Sequence, residues 1–269
     1  MTSAALMENC LRWNRTRASY RPAGEVFDTT RAEVVGLDES DAKLFVKAHH
    51  YSGSYPAARF RAGIVVKPPF APAYLGGVAV FSVPMTQSVI PATLALAPAH
   101  GVELGRFVLL DSLEANAETW FLGRAFRLLK RHLPEVKGVV AYCDPVERRN
   151  AAGELVKRSH TGTIYRAHNA IYRGQGKGRT LWLLPNGQVA SERALSKLRS
   201  GECGTEYAAR QLLEQGAPAR LFAESGADWI ERLKNTGFLQ PLAHPGNHRF
   251  VWRLDGARLS PDSGTRRPE

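Results

Sequence analysis

Cysteine is scarce in this chain. Only Cys10, Cys143 and Cys203 occur among 269 residues. They are odd in number, far apart and never in a Cys-x-x-Cys pair, which excludes a disulfide framework and a zinc knuckle. A reducing cytoplasm is therefore the expected compartment. Long apolar runs are also missing, and none approaches the ~20 residues that cross a bilayer. The opening residues, MTSAALMENCLRWNRTR, lack the apolar core of a signal peptide, and their charges follow the short apolar stretch. Negative charge is in short supply too. There are 36 Lys and Arg against 25 Asp and Glu, a net charge of +11. That surplus favours a polyanionic partner, and with no membrane partner expected, nucleic acid is left. Plain solubility is the competing reading of the same surplus. With 44% of residues hydrophobic, the chain can build a normal core.

Periodicity and turn residues give an order of elements. Residues 1–31 are polar and basic and are expected to form an arm. A short strand at 32–37 precedes a helix at 38–51, whose Leu44, Phe45, Ala48 and Tyr51 fall near helical spacing. Residues 59–67 and 73–83 read as an antiparallel hairpin across the Pro-Pro-Phe-Ala-Pro turn at 68–72. A strand at 102–111 leads to a helix at 116–132, which Asn116 can cap and whose apolar face is Phe121, Ala125, Leu128 and Leu129. A buried strand at 138–142, a loop at 146–158, a helix near 160–172 and a strand at 179–184 follow. The composition shifts near 185. Beyond it, helices are expected at 191–199, 205–215 and 227–234, then a strand at 249–253. The class is α/β (α+β), and the order resembles the GNAT acyltransferase fold, a mixed sheet with helices on both faces. The expected division is a GNAT-like catalytic domain over 32–185, a mainly helical C-terminal extension over 186–255 packed on that core, and a disordered tail over 256–269.

Polar residues gather at the ends of these elements, where α/β sheets place their sites. His49, His50, Tyr51, Ser52 and Tyr55 follow the first helix and offer metal ligands or acid–base groups; His side chains at a helix C-terminus are the structural alternative. Glu103, Leu104, Gly105 and Arg106 lie on a strand, where alternation puts Glu103 and Gly105 on one face and Leu104 and Arg106 on the other. An arginine there needs a carboxylate or phosphate partner. The helix start at Asn116 is a candidate anion site. The glycine-rich signature by which GNAT enzymes grip acyl-CoA, Arg/Gln-x-x-Gly-x-Gly/Ala, is absent, and Asp111, Glu114 and Glu118 stand nearby instead. Asp144 sits at a strand end, where a carboxylate serves as base or metal ligand, whereas Cys143 beside it reads as a packed thiol. Tyr165 and Tyr172, seven apart, share a face of the expected helix, as core or as stacking partners for a base. Arg148, Arg149, Lys157, Arg158, Arg166, Arg173, Lys177 and Arg179 interleave with His168, Tyr165 and Tyr172, a pattern suited to a phosphate backbone and an unstacked base. The turn at 244–249 (HPGNHR) adds phosphate contacts or closes a hairpin.

The ordered set ELGRFVLLD, NAETWFLGRAFRLLK, VVAYCDP and HTGTIYRAHNAIYRG, with HHYS before it and ALSKLRSGECG after it, resembles the phage Mom family over residues 40–215. The resemblance implies a GNAT-like transferase that converts adenine in DNA to N6-carbamoylmethyladenine and so protects phage DNA from restriction. It implies catalytic roles for His50, Tyr51, Asp144 and Tyr165, and donor contacts from Arg106, Asn116 and Thr119. It also implies iron, for which His49, His50, Asp144 and His160 are the candidate ligands, and an acyl-CoA-type donor is the other cofactor to consider. Thr119 stands where a serine is usual. Residues 146–158 read as an insertion between Asp144 and His160. The expected partner is double-stranded DNA, with a homodimer left open, and the compartment is the host cytoplasm if a phage encodes the chain. Two other readings stand beside this one: a GNAT-type N-acetyltransferase acting on protein, tRNA or a small amine, and a non-catalytic phage DNA-binding accessory protein.

Overall fold

The computed structural model describes residues 26–114 and 116–259. Most of the expected N-terminal arm and of the expected tail therefore lies outside the described residues. Within the arm's last residues, Phe27 is buried with its ring 5.3 Å from Trp120, and Thr29–Arg31 forms a 3-10 helix capped by Asp28. The chain divides into two compact units. The first is built from the chain up to Asp144, His160–Gln175 and the chain from Asn247 onward; the second from Pro145–Ser159 and Gly176–Gly246.

A seven-stranded mixed sheet organises the first unit. Its strands are β1 (Ala32–Gly36), β2 (Ala58–Val66), β3 (Tyr74–Ser82), β4 (Gly101–Leu109), β5 (Gly138–Cys143), β11 (His248–Arg253) and β8 (Ile171–Gln175), in that spatial order. The first four are antiparallel neighbours, and the β2–β3 pair among them is the expected hairpin. β4 and β5 are parallel, so a crossover must join them, and the long helix α3 (Ala117–His132) supplies it. Helices cover both faces. On one, α3 seats Phe121, Leu122, Ala125, Phe126 and Leu129 against Phe60, Phe81, Leu104, Val139 and Phe250. On the other, α1 (Glu39–His49) packs Ala42, Phe45 and Val46 on Val78, Val80 and Val108, and α2 (Val89–Leu94) packs Ile90 and Leu94 on Val140 and Val251. The apolar run Val78–Ala79–Val80–Phe81 follows from this, because a strand buried on two faces needs no polar alternation. The architecture is the expected mixed α/β sheet with helices on both faces.

Several local expectations change. The buried face of α1 is Ala42, Phe45 and Val46, while Leu44 is 69% exposed, because the helix ends at His49 and Tyr51 lies beyond it. The helix expected near 160–172 shrinks to α4 (Thr163–Ala167), after which the chain becomes β8, so Tyr165 and Tyr172 share no helix face. β11, expected within the extension, instead sits inside the main sheet between β5 and β8; its Phe250 and Trp252 face α3 and Val251 faces α2.

The second unit contains the hairpin β6 (Arg148–Arg149) with β7 (Leu155–Lys157), and β9 (Arg179–Leu183) paired antiparallel with β10 (Gln240–His244). Three helices, α5 (Glu192–Ser200), α6 (Thr205–Glu214) and α7 (Gly226–Asn235), match the expected positions. Their core is Leu195, Leu198, Leu212, Trp229, Ile230 and Leu233. The unit thus draws in 145–159 and 176–185, which a single boundary at 185 would leave with the catalytic domain. The 244–249 turn is no hairpin, since β10 and β11 belong to different sheets.

Gly162 tests how tightly the sheet and α4 are fitted. Its φ is +82°, and a Cβ there would come within 2.3 Å of the Phe250 ring. Gly162→Ala is expected to lower stability by about 2–4 kcal/mol, through backbone strain and overpacking together. Gly153, with φ +79° and nothing within 4 Å, isolates the strain, and Gly153→Ala should cost only about 1 kcal/mol. Urea unfolding midpoints of the two variants measure the difference.

Candidate active site

The site forms where two parallel strands part. β4 and β5 pair only at Gly101–Gly138, Val102–Val139 and Glu103–Val140, although β4 runs on to Leu109 and β5 to Cys143. Beyond Glu103 the ladder stops, leaving a cleft with β4 on one side and Tyr142–Cys143–Asp144 on the other. A bulge decides what β4 presents there. Phe81 pairs with Leu104 and Val80 with Arg106, so Gly105 is an extra residue. The extra residue reverses the alternation. Glu103 and Arg106, which strict alternation assigns to opposite faces, come out on the same one. Only glycine fits at the bulge, since a Cβ on Gly105 would lie 2.4 Å from Ser82 Oγ and 3.1 Å from Pro56.

Arg106 is fixed from three sides. Its Nε donates to Ser54 O at 2.9 Å, its Nη2 to Ser54 Oγ at 2.7 Å, and its Nη1 to the Gly105 carbonyl. Burial pulls its pKa down, and Tyr51 and Glu103 oppose that pull. Glu103 answers in kind. Burial raises its pKa, while Arg106 and the Met85 N–H hold it down. The polar groups that hold this strand arginine are thus Ser54 and the Gly105 carbonyl, with the Glu103 charge acting on it through space.

Ser54 connects the guanidinium to His50. The Ser52 N–H donates to His50 Nδ1 at 3.2 Å, so Nδ1 is an acceptor; the Ser52 hydroxyl, 2.8 Å away, must then donate to it as well. The Ser54 hydroxyl donates to Ser52 Oγ at 3.3 Å, and Arg106 donates to Ser54. A directional run of donors therefore leads from Arg106 through Ser54 and Ser52 to His50, and it leaves the ring proton of neutral His50 on Nε2. Tyr51 lies alongside, its ring centroid 4.3 Å from that of His50.

Across the cleft, Tyr165 is buried, with its ring edge-on to His160 at 5.6 Å, to Phe250 at 5.8 Å and to Trp252 at 5.3 Å. Burial first, then Cys143, Tyr51 and Glu103, drives the phenol pKa well above 10.0. Tyr142 on β5 is pushed up by burial and by Glu103, with Arg249 opposing. The insertion at 146–158 does not pull the two sides apart. Asp144 O accepts a hydrogen bond from His160 N–H at 2.9 Å, so the chain leaves and returns at one point.

The structure thus brings His50, Tyr51, Arg106 and Tyr165 to one region, with Asp144 and His160 at its edge. Glu103, Tyr142, Ser54 and Arg249 join them; sequence reasoning grouped Tyr142 with Asp144 but gave neither Tyr142 nor Glu103 a catalytic part, and it passed over Ser54 altogether. The donor loop departs from expectation. Asn116 is exposed at φ +69° and makes no side-chain cap, while Thr119 Oγ1 donates to Asn116 O at 3.2 Å. His49 is exposed with its ring 4.6 Å from Phe45, on the helix rather than in the cleft. Among the described residues no group of three or more His, Cys, Asp or Glu is placed to hold a metal ion. Three of the basic candidates are structural. Lys157 is buried, its Nζ donating to Val146 O at 2.8 Å and Arg158 O at 2.9 Å; Arg148 is buried; Arg173 Nε donates to Thr93 O at 3.1 Å. Arg149, paired with Glu147 at 2.8 Å, Lys177 and Arg179 are exposed; Arg158 and Arg166 are half-buried.

A mixed α/β sheet with polar residues gathered at the parting of its two central parallel strands is the frame of the candidate site. The family follows from comparison: the Mom protein family matches residues 31–222, and the chain belongs to it. No curated protein matches the chain. Among solved structures, a tandem GNAT protein from the clavulanic acid biosynthesis pathway, without AcCoA, is similar at 10% identity with a TM-score of 0.39, over 82% of this chain and 97% of that one. Among the described residues no helix is long and apolar enough to cross a membrane.

The Tyr165 phenol gives a pH test. Its folded pKa is raised, so its contribution to stability is present below about pH 10 and is lost as pH climbs through the folded value. Wild-type stability should therefore fall more steeply than that of Tyr165→Phe above about pH 10, by up to about 1.4 kcal/mol per pH unit. Urea unfolding of both proteins across that range measures it.

Proposed function

We propose that the protein is a DNA-modifying transferase that converts adenine in duplex DNA to N6-carbamoylmethyladenine, or a closely related N6-substituted adenine, in the service of a phage. The observation that carries this reading is the family match over 31–222, which spans His50, Tyr51, Arg106, Asp144 and Tyr165.

The chemistry joins the adenine N6 nitrogen to a carbon of the donor. A proton leaves the amine and the donor's leaving group departs. Because that amine is a weak nucleophile, positioning and proton handling carry most of the protein's share. Asp144, at the strand end, receives the exocyclic amine and its proton. Tyr165 stays a neutral phenol at working pH and donates to the base or the leaving group. His50, with its proton on Nε2, is a second neutral donor, and Tyr51 beside it supplies a ring for the extruded base to stack on. Arg106 supplies positive charge at the cleft and, through Ser54, holds the loop carrying Tyr51. Phosphates are met by exposed Arg149, Lys177 and Arg179 together with Arg158 and Arg166.

Nucleoside mass spectrometry of digested DNA from cells expressing the protein should reveal a modified deoxyadenosine. Unchanged adenine alongside soluble, folded protein overturns the proposal. Asp144→Asn is expected to lower modification at least 100-fold while leaving duplex affinity within about twofold. Arg106→Lys should also fail, by at least about tenfold, because one ammonium cannot span Ser54 O, Ser54 Oγ and Gly105 O together. Full modification by the lysine variant would remove the guanidinium geometry from the mechanism.

A further inference from the structure

The second unit carries an exposed aromatic that its own packing does not explain. Phe222 is 103% exposed and Leu221 is 61% exposed, at the tip of the loop between α6 and α7. An exposed apolar tip on a slack loop would mean little, but this loop is braced. The Glu224 carboxylate, its side chain 9% exposed, accepts from Leu221 N–H at 2.9 Å and from Arg232 Nε at 2.7 Å and Nη2 at 2.8 Å. Glu224 N–H donates back to Leu221 O at 3.1 Å, and the Arg220 guanidinium donates to Glu224 O. Arg232 Nη2 also holds Ala219 O at 2.8 Å, and the indole N–H of buried Trp229 holds Pro218 O at 2.8 Å. Ala223 sits at φ +60°, a left-handed conformation that is unfavourable for an alanine. A carboxylate, two guanidinium groups and a core tryptophan thus hold one short turn, and the residue it projects touches nothing. The entropy of ordering that residue is spent in advance, which raises affinity for whatever it meets.

We propose that residues 218–224 form a DNA wedge, in which Phe222, supported by Leu221, inserts between adjacent base pairs and unstacks one step while Arg220 rests on the neighbouring phosphate. The wedge rests on the DNA reading above. Two adjacent apolar side chains beside a guanidinium are the chemistry of apolar wedges that kink a duplex. A protein partner needs a broad face, about 800 Å² on each side, and a two-residue prominence does not supply one. The unit that carries the tip has more Lys and Arg than Asp and Glu, which suits a phosphate backbone. Adenine N6 chemistry also requires the base to leave the stack, so a wedge lowers the cost of extrusion.

The test uses the full chain and duplex oligonucleotides containing 2-aminopurine at successive positions. Wild-type protein should raise 2-aminopurine emission at one step on binding. Phe222→Ala should abolish most of that rise and weaken binding about tenfold, while Phe222→Trp restores both. Since Phe222 touches no phosphate, its removal should leave the salt dependence of binding unchanged; Arg220→Ala should lower the slope by about one unit. Phe70→Ala, which removes an equally exposed ring from the β2–β3 turn, should change none of these. Thermal melts of Phe222→Ala should match wild type, because the side chain is outside the core. If wild-type protein neither binds duplex nor modifies adenine, the DNA reading falls and the wedge falls with it. If it binds and modifies DNA but Phe222→Ala leaves the emission unaltered, the wedge alone is overturned. It is equally overturned if Phe222→Ala instead dissociates a self-associated species in sedimentation and leaves duplex binding untouched.

Discussion

Everything at the cleft depends on one extra residue. At Gly105 the ladder between β3 and β4 slips by one, and the alternation that would send Glu103 and Arg106 to opposite faces is reversed. The acid and the base thereby become neighbours, each offsetting part of the other's cost of burial. Two residues earlier on the same strand, pairing with β5 ends. Ladder loss and bulge act together: the first opens the sheet, the second turns charged groups toward the opening. Unpaired backbone at the centre of a sheet is costly, and such irregularities gather at functional sites.

From Arg106 the organisation spreads outward. Its guanidinium reaches the 50–55 loop, and that loop sets both the tautomer of His50 and the position of Tyr51. On the opposite side, the Asp144–His160 backbone bond keeps the end of β5 in contact with the segment that leads to Tyr165. Neither arrangement is local in sequence. One joins residues about fifty apart, and the other closes over an insertion that folds within the second unit.

Much of the fold was legible because periodicity carries it. The α3 pattern of Phe121, Ala125 and Leu129, the two apolar strands around the proline turn, and three C-terminal helices all fall where apolar spacing put them. The site was legible as a set of residues through family likeness, but not as a geometry. A bulge leaves no signature beyond a glycine, so Arg106 was assigned to the wrong face, alongside Leu104. Tyr142 was grouped with Asp144 at the strand end without a role, and Ser54 reads as one more serine in a loop. The basic stretch misled for a related reason: charge pattern does not distinguish a lysine on the surface from Lys157, whose ammonium is capped by two carbonyls inside the fold. β11 was misplaced because a short strand carries no information about which sheet it joins.

The insertion at 145–159 and the longer excursion at 176–246 mean that the backbone passes between the two units four times. Neither unit is a bead on a string. No single peptide cleavage can release one from the other, and no terminal truncation can remove the second while sparing the first, since β11 follows it and completes the main sheet. A lineage of such proteins can exchange its second unit only by rewriting two interior segments at once. Variation in the partner this unit engages is therefore expected to accumulate by substitution on its surface, not by replacement of the module.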